Sequence, residues 1–116
     1  MAQKIVWRTQ EIPVEPLDSK VSRKVLAHME KLMTVEVIYQ AGGVGPDHAH
    51  VHEQITYVID GKFRFKVGAE VIHVEKGDTL YLPATIPHGC LCIEAGRLLD
   101  VFTPERQDFL KEEAEK

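Results

Sequence analysis

The sequence predicts an all-β fold, a sandwich or barrel built from short strands. Between residues 21 and 103, candidate strands alternate with turn residues at intervals of about eight to twelve residues, a spacing typical of such folds. The same region has no long hydrophobic repeat of helical period. A third observation is a set of polar residues at alternate positions beside a run of β-branched and aromatic residues, as in a strand with one polar face.

The first part of the chain contains three candidate strands. Lys4–Thr9 predicts a short strand, and Glu11–Pro16 predicts an extended linker that two prolines stiffen. Residues 21–40 predict two strands with a turn at Glu30–Lys31. The glycine-rich segment 41–47 then predicts a loop that leads into the next strand.

The strand that follows this loop carries the polar face. Gln54–Ile59 is rich in β-branched and aromatic residues and ends in Asp60–Gly61, a dipeptide that suits a type I′ hairpin turn. Four residues at alternate positions share one face of this strand: His48, His50, His52 and Gln54. Imidazole nitrogens and an amide oxygen are ligands for divalent cations such as zinc, nickel, iron or manganese. We therefore interpret this face as a metal site, joined by His88 if the fold brings the two strands together.

Other interpretations of these histidines stay open at this point. A run of histidines can be no more than polar residues on a solvated face. His52 falls at the same alternate positions as the other candidates. It could replace one of them as a ligand, or it could act next to the ligands without binding the metal itself. His28 and His73 lie outside the pattern, and we interpret them as ordinary strand residues.

The remaining strands follow a regular course. Phe63, Phe65 and Val67 alternate with basic residues, which predicts a strand with one buried and one wet face. Four more strands follow, with turns at 68–69, 76–78 and 95–97: Glu70–Glu75, Thr79–Pro83, His88–Glu94 and Leu98–Thr103. The tail from Pro104 predicts a short helix with proline in its first turn and a charged end.

Length and charge restrict the classes of protein. The 116 residues predict a single domain, residues 1–116, with a barrel core at about 21–103. A formal charge of -4 and a pI near 5.8 argue against nucleic acid or an anionic membrane as a partner, because both bind basic patches.

The two cysteines and the N-terminal residues give indications of the cellular compartment. Cys90 and Cys92, two residues apart on a strand, are poorly placed for a disulfide with each other. We expect two reduced thiols, with metal ligation by a thiolate as the alternative. Met1–Arg8 has no apolar run of signal-peptide or membrane-span length. We therefore expect a cytoplasmic protein.

Two motifs resemble those of the cupins. The first consists of residues separated by five, one, three and six positions: Gly42, His48, His50, Gln54 and Gly61. The second follows after a short interval: Gly77, Pro83, Thr85 and His88. Gln54 stands where glutamate is usual, and Thr85 and Cys92 stand where glycine and asparagine are more usual.

The flanking residues resemble one cupin family in particular. Matching segments are Leu32–Met33, His52–Val58, Leu98–Pro104, Arg106 and Asp108–Leu110. They are similar to the KdgF family, small cupins that linearise unsaturated uronates in pectin and alginate breakdown, over roughly Lys24–Leu110. The resemblance implies a double-stranded β-helix (jelly-roll) barrel with a short C-terminal helix or tail. It also implies one divalent metal ion (Ni, Zn, Mn or Fe) held by His48, His50, Gln54 and His88.

The same resemblance implies roles for three residues near the end of the chain. Asp100, a carboxylate between apolar neighbours, would move protons, and burial would raise its pKa toward neutrality. Arg106 would bind the carboxylate of a small anionic sugar substrate as a bidentate donor, and Phe102 would form an apolar wall against the sugar. The alternatives are a solvated strand carboxylate at Asp100 and a surface cation at Arg106.

A glutamine ligand has an electrostatic consequence. Neutral ligands leave a divalent cation its full charge, which favours an anionic oxygen ligand and disfavours higher oxidation states. We therefore expect a Lewis acid that orients and polarises the substrate. Competing hypotheses are a metal-dependent dioxygenase, a non-enzymatic sugar-binding sensor and a metal-storage protein.

The face of the ligand strand opposite the histidines is apolar, with Val51, Ile55, Tyr57 and Ile59. A strand protected from water on both faces needs a cover outside the barrel, from the N-terminal strands or from a second subunit. We expect a homodimer in which both contribute. Tyr57 and Tyr81 are interpreted as packing residues.

Overall fold

The chain forms the predicted all-β fold in the computed structural model, which describes residues 3–114. The strands in chain order are β1 (Glu15–Pro16), β2 (Val21–Met29), β3 (Leu32–Tyr39), β4 (Val44–His48), β5 (Glu53–Val67), β6 (Glu70–Glu75), β7 (Thr79–Leu82) and β8 (His88–Thr103). A 3-10 helix at Thr9–Glu11 precedes β1, and the helix α1 (Gln107–Ala114) follows β8.

The described strands form one antiparallel sheet that folds over into two layers. β5 and β8 pair along their whole lengths, from Glu53 opposite Thr103 to Val67 opposite His88. β3 and β7 extend one half of this pair, and β4 and β6 extend the other half. Apolar side chains from both halves meet in a single core that includes Val35, Val58, Phe63, Phe65, Leu98 and Phe102. The result is the expected barrel with its core between the layers.

Several predicted elements are confirmed. β2 and β3 form a hairpin across Glu30–Lys31, where Glu30 has a φ of 32°. β6 and β7 lie at the predicted positions, with turns between them and their neighbours. Phe63 and Phe65 are buried while the basic residues between them are exposed. Strand periodicity therefore located these elements because each buries one face.

The predicted turns at Asp60–Gly61 and at residues 95–97 are wrong, because β5 and β8 continue through both. Asp60 pairs with Arg97, and the register of the two strands shifts around this point. Gly61 has a φ of 88°, and a Cβ on Gly96 would collide with the carbonyl oxygen of Asp60. The glycines therefore form an irregular bend where two long strands pass from one layer to the other.

The histidine segment is only partly a strand. The predicted loop at 41–47 is wrong from Val44 onward, since Val44–His48 forms β4. The predicted continuous ligand strand is wrong for residues 49–52, which lie outside the strands. His48 pairs with His88 at one end of β8, whereas Glu53 pairs with Thr103 at the other end. The residues between must cross between the layers and cannot stay paired.

The two ends of the chain also differ from expectation. The predicted strand at Lys4–Thr9 is wrong: residues 3–8 carry no regular structure, and Thr9 begins the 3-10 helix. The predicted C-terminal helix is confirmed but begins at Gln107, so Pro104 precedes it and does not occupy its first turn. The last residues of the predicted charged end, 115 and 116, lie outside the described residues.

The apolar face of β5 opposite the site is not covered by any of residues 3–114. The exposed fraction is 48% for Ile55, 41% for Tyr57 and 58% for Tyr81, whose hydroxyl donates to Glu53 at 2.8 Å. Ile55 and Tyr81 are paired neighbours on β5 and β7. The prediction that the N-terminal strands cover this face is wrong, because β1 pairs with β2 instead. Tyr57 and Tyr81 are therefore not packing residues of this chain's own core.

Candidate metal centre and pocket

Three imidazoles converge where β4 meets β8. His48 ends β4, His88 begins β8 opposite it, and His50 lies in the crossing segment that follows. One ring nitrogen of each histidine lies within 4.8 Å of the corresponding nitrogens of the other two. Gln54, near the start of β5, places its Oε1 3.0 Å from His50 Nε2. The structure thus brings together the four predicted ligands.

Backbone carbonyls determine which nitrogen of each of the three rings carries the hydrogen. The Nδ1 atoms of His48, His50 and His88 lie 2.9, 2.9 and 3.0 Å from the carbonyl oxygens of Pro46, His52 and Ile86. A carbonyl oxygen only accepts, so each Nδ1 carries the hydrogen. In the neutral ring the lone pair then belongs to Nε2, the arrangement that metal-binding histidines use.

Two further observations fit a cation at this point. His88 Nε2 is buried and has no hydrogen-bond partner among the described residues. His50 Nε2 and Gln54 Oε1 face each other at 3.0 Å, although in the neutral ring both are acceptors. Three imidazole nitrogens and an amide oxygen form a donor set that suits zinc, nickel, iron or manganese. The residues present therefore fit the expected divalent ion.

The charge state of the rings favours ligation. Burial lowers the pKa of both His50 and His88, and the nearby guanidinium of Arg106 acts in the same direction. Both rings are consequently neutral at pH 7. A metal ion therefore competes with few protons for their lone pairs.

The remaining histidines lie outside this group. His52 lies next to the group, with its ring centroid 5.4 Å from that of His50 and 6.4 Å from that of Phe102. His28 forms a 2.7 Å contact with Glu105, and His73 is an exposed strand residue on β6.

A cavity of about 350 Å³ opens beside the imidazoles. Its walls include His48, Gln54 and His88 together with Asp100, Phe102 and Arg106, so six of the seven predicted site residues line one pocket, and His50 lies beside it. Phe102 is buried, and its ring centroid lies 5.7 Å from that of His50. The pocket combines an apolar wall with a few convergent polar groups, which is typical of small-molecule sites.

Asp100 is a partly buried carboxylate that lines this pocket. Burial raises its pKa to about 6, although hydrogen bonds from Thr56 and Gln54 and the charge of Arg106 oppose the rise. Thr56 Oγ1 donates to Asp100 Oδ1 at 2.7 Å. A carboxyl group with this pKa exchanges protons readily near neutral pH.

Arg106 is buried, which excludes the alternative of a surface cation. Only 7% of it is exposed, and its guanidinium lies 4.3 Å from the ring centroid of Phe109 and 5.2 Å from that of Phe102. Two of its nitrogens donate to Asp108, at 3.0 and 2.7 Å. The charge is thus held against the aromatic wall of the pocket.

Sequence reasoning missed three residues of this site. Thr56 lies two residues after Gln54, so the alternation of the strand is a signal that could have identified it. Arg23 and Tyr39 line the pocket from β2 and β3. Arg23 stacks on Phe109 at 3.9 Å, and no local pattern marks it because the contact joins distant segments.

Cys90 and Cys92 are free thiols. The Cys90 thiol faces the Tyr39 hydroxyl at 3.4 Å, and burial raises its pKa to about 11. At neutral pH it is therefore protonated and a poor metal ligand. No helix within residues 3–114 is long and apolar enough to cross a membrane.

The fold and the histidine group together define the class of protein. A family profile described as "Cupin domain" matches residues 35–102, more than half of the chain. A solved RmlC-like cupin from Shewanella frigidimarina is 30% identical, with a TM-score of 0.88 over 92% of this chain and 96% of that one.

Two further relatives specify the family. The pectin degradation protein KdgF of Dickeya dadantii (strain 3937) is 35% identical over 102 residues, which cover 86% of this chain and 93% of that protein. The structure of KdgF from Halomonas sp. is 31% identical with a TM-score of 0.88, over 93% of this chain and all of that one. The chain is a cupin and belongs to the KdgF family.

Proposed function

We propose that the chain linearises 4,5-unsaturated uronate monosaccharides to the 5-keto-4-deoxyuronate in pectin or alginate breakdown. The observation that carries this proposal is the Asp100 carboxyl group, whose pKa is raised to about 6, in one cavity with the imidazoles of His48 and His88 and with Arg106. Kinship with a pectin degradation protein supports the substrate class. The enzyme is an isomerase and requires a metal.

His48, His50, Gln54 and His88 would hold one divalent ion, Ni, Zn, Mn or Fe. When bound, the ion supplies Lewis-acid polarisation of substrate oxygens. Arg106 orients the substrate carboxylate through paired N–H donors, in exchange for part of its contact with Asp108. Phe102 packs against a face of the sugar and excludes water.

Asp100 moves the protons that the reaction requires. It accepts the hydrogen of the anomeric hydroxyl as the bond between the anomeric carbon and the ring oxygen breaks, and an aldehyde forms. The departing ring oxygen gains a proton and becomes an enol. The enol then loses its hydroxyl hydrogen while C4 gains one, which yields the ketone without a redox change.

The proposal also includes the cellular compartment and the oligomeric state of the protein. The small anionic sugar is a cytoplasmic metabolite, and the two reduced thiols suit that compartment. The exposed apolar face with Ile55, Tyr57 and Tyr81 supports a homodimer, because it leaves large apolar side chains in contact with water.

Proton NMR of 4,5-unsaturated galacturonate tests the proposal through loss of the ring alkene signal. We expect a rate above that of buffer, lost on treatment with a chelator and restored by one of the four metals. Asp100→Asn should lower the rate by about 100-fold or more. His88→Ala should abolish the metal-dependent rate, whereas the exposed His73→Ala is the matched control and should leave it unchanged.

A rate equal to buffer with every metal would overturn the proposal. Oxygen uptake by the metal-loaded protein with a diketone or flavonol would favour the dioxygenase hypothesis instead. Tight binding of the sugar without turnover would favour the sensor hypothesis.

A further inference from the structure

A chain of hydrogen bonds connects the histidine group to Asp100. Gln54 Oε1 lies 3.0 Å from His50 Nε2, and Gln54 Nε2 donates to Thr56 Oγ1 at 2.8 Å. Thr56 Oγ1 in turn donates to Asp100 Oδ1 at 2.7 Å. Thr56 is fully buried and Gln54 is nearly so. The central link between Gln54 and Thr56 therefore lies away from solvent, where an unmade hydrogen bond is costly, and the two outer links are partly buried.

The direction of this chain follows from the chemistry of its members. A carboxylate only accepts, and a threonine hydroxyl has a single hydrogen, so that hydrogen is used on Asp100. The hydroxyl oxygen can then only accept from its other neighbour. The Gln54 group that faces Thr56 must accordingly be the amide nitrogen, which turns the amide oxygen toward His50.

We propose that Thr56 is a positioning residue that orients the Gln54 amide so that its oxygen, and not its nitrogen, faces the metal site. An amide nitrogen has no lone pair available for a metal, so the opposite orientation removes one of the four ligands. The inference rests on the metal site of the proposed function. It adds a residue outside the ligand set that, together with Asp100, holds the Gln54 amide in the orientation of a ligand.

The same argument accounts for glutamine at the position where cupins usually have glutamate. A glutamate at residue 54 would present an oxygen to Thr56, whose only hydrogen already goes to Asp100. Two acceptors would then face each other in a buried place. Glutamine supplies both the donor that Thr56 needs and the oxygen that a metal needs.

Measurement of metal affinity tests the role of Thr56 directly and does not depend on catalytic activity. Protein stripped with a chelator is titrated with zinc in competition with a chromogenic chelator, and with cobalt to record its visible absorption. Thr56→Val keeps the shape but lacks the hydroxyl, and it should weaken zinc affinity by about 10- to 100-fold and alter the cobalt spectrum. Thr56→Ser restores the hydroxyl, so its zinc affinity should stay within about threefold of the wild-type affinity.

Thr34→Val is the matched control, because Thr34 is a strand threonine whose hydroxyl donates to Ala27 O outside the site. It should leave both readouts unchanged. Circular dichroism establishes that each variant is folded; if Thr56→Val is not, Thr56→Ala replaces it as the variant without a hydroxyl.

The outcomes separate this inference from the proposed function. A wild type that binds no divalent metal would overturn the metal site, and Thr56 would lose its role with it. Wild-type affinity and an unchanged cobalt spectrum in a folded variant without the hydroxyl would overturn the role of Thr56 alone. A Thr56→Ser variant as weak as Thr56→Val would also overturn it, since packing of the methyl group would then be the cause.

Discussion

Among single residues, Asp100 carries a charge that is costly to the fold. Its carboxyl group lies in the pocket with Phe102 and Arg106, and burial raises its pKa from 3.8 to about 6. The imidazoles of His50 and His88 show the reverse case, since burial lowers their pKa and keeps them neutral. Burial thus favours the proposed proton transfer at Asp100 and the proposed metal binding at the histidines for opposite electrostatic reasons.

The cost of the buried charge predicts a pH-dependent gain in stability for Asp100→Asn. Well below pH 4 the carboxyl group is protonated in both the folded and the unfolded chain, because the pKa is 3.8 in the unfolded chain and higher in the folded one. Between pH 4 and 6 the unfolded chain ionises first, so the free energy of unfolding falls as the pH rises, by about 3 kcal/mol in all. Asparagine carries no charge, so the variant should gain that amount over wild type by pH 7.

Urea unfolding of the metal-free proteins at intervals from pH 4 to 8 measures this difference. The histidines affect wild type and variant alike, so the comparison isolates residue 100. The gain should grow up to about pH 6 to 7 and then stay constant. An equal pH dependence in the two proteins would contradict the raised pKa.

Among the structural elements, β5 and β8 decide the shape of the site. Each is long enough to belong to both layers, and together they position Gln54, Thr56, His88, Asp100 and Phe102. Both strands change layer where Asp60 pairs with Arg97 and where Gly61 approaches Gly96. Backbone atoms meet so closely at this bend that there is no room for side chains.

The bend predicts different costs for two glycine substitutions. Gly77 has a φ of 94° but open space around it, so Gly77→Ala should cost about 1 to 2 kcal/mol from backbone conformation alone. Gly61 has a similar φ of 88°, and its Cβ would lie 2.7 Å from Glu94 O and from Gly96 Cα. Gly61→Ala should therefore cost about 3 kcal/mol or more in total.

Chemical denaturation of the two variants measures both costs, with Gly77→Ala as the control for the positive φ. Equal losses of stability would show that the close approach at Gly61 relaxes freely. The bend would then not depend on glycine at that position.

At the scale of the whole molecule, we propose that two copies of the chain associate through the apolar face of β5 and β7. Ile55, Tyr57 and Tyr81 lie on the side of the sheet away from the pocket, where nothing in the described part of the chain covers them. Burial of large apolar side chains is the main favourable term in protein association. A second copy of the chain would supply it.

Sedimentation velocity tests this assembly. We expect wild type to sediment as a dimer of the 13.1 kDa chain and Ile55→Lys to sediment as a folded monomer. Val71→Lys replaces an exposed valine on β6, outside this face, and should remain dimeric. A monomeric wild type at micromolar concentration would overturn the proposed dimer.

Local pattern and spacing in the sequence predicted several strands, the candidate site residues and the family. Alternation along residues 21–40 and 62–82 located β2, β3, β6 and β7, because a strand that buries one face must alternate. The spacing of the two motifs indicated a cupin and the four candidate ligands. The residues that flank the motifs indicated the family, and with it the candidates Asp100 and Phe102 in β8 and Arg106 after it. All of these signals lie within short stretches of sequence.

Only the tertiary structure decided the features that depend on distant strands. Asp60–Gly61 and Ala95–Arg97 have the composition of turns, but pairing between β5 and β8 makes them a bend within continuous strands. The carbonyls that set the histidine tautomers, the hydroxyl of Thr56 between Gln54 and Asp100, and Arg23 on the ring of Phe109 come together only when the layers close. Such contacts leave no periodic trace in the sequence, because they join residues whose separation along the chain is unrelated to their distance in space.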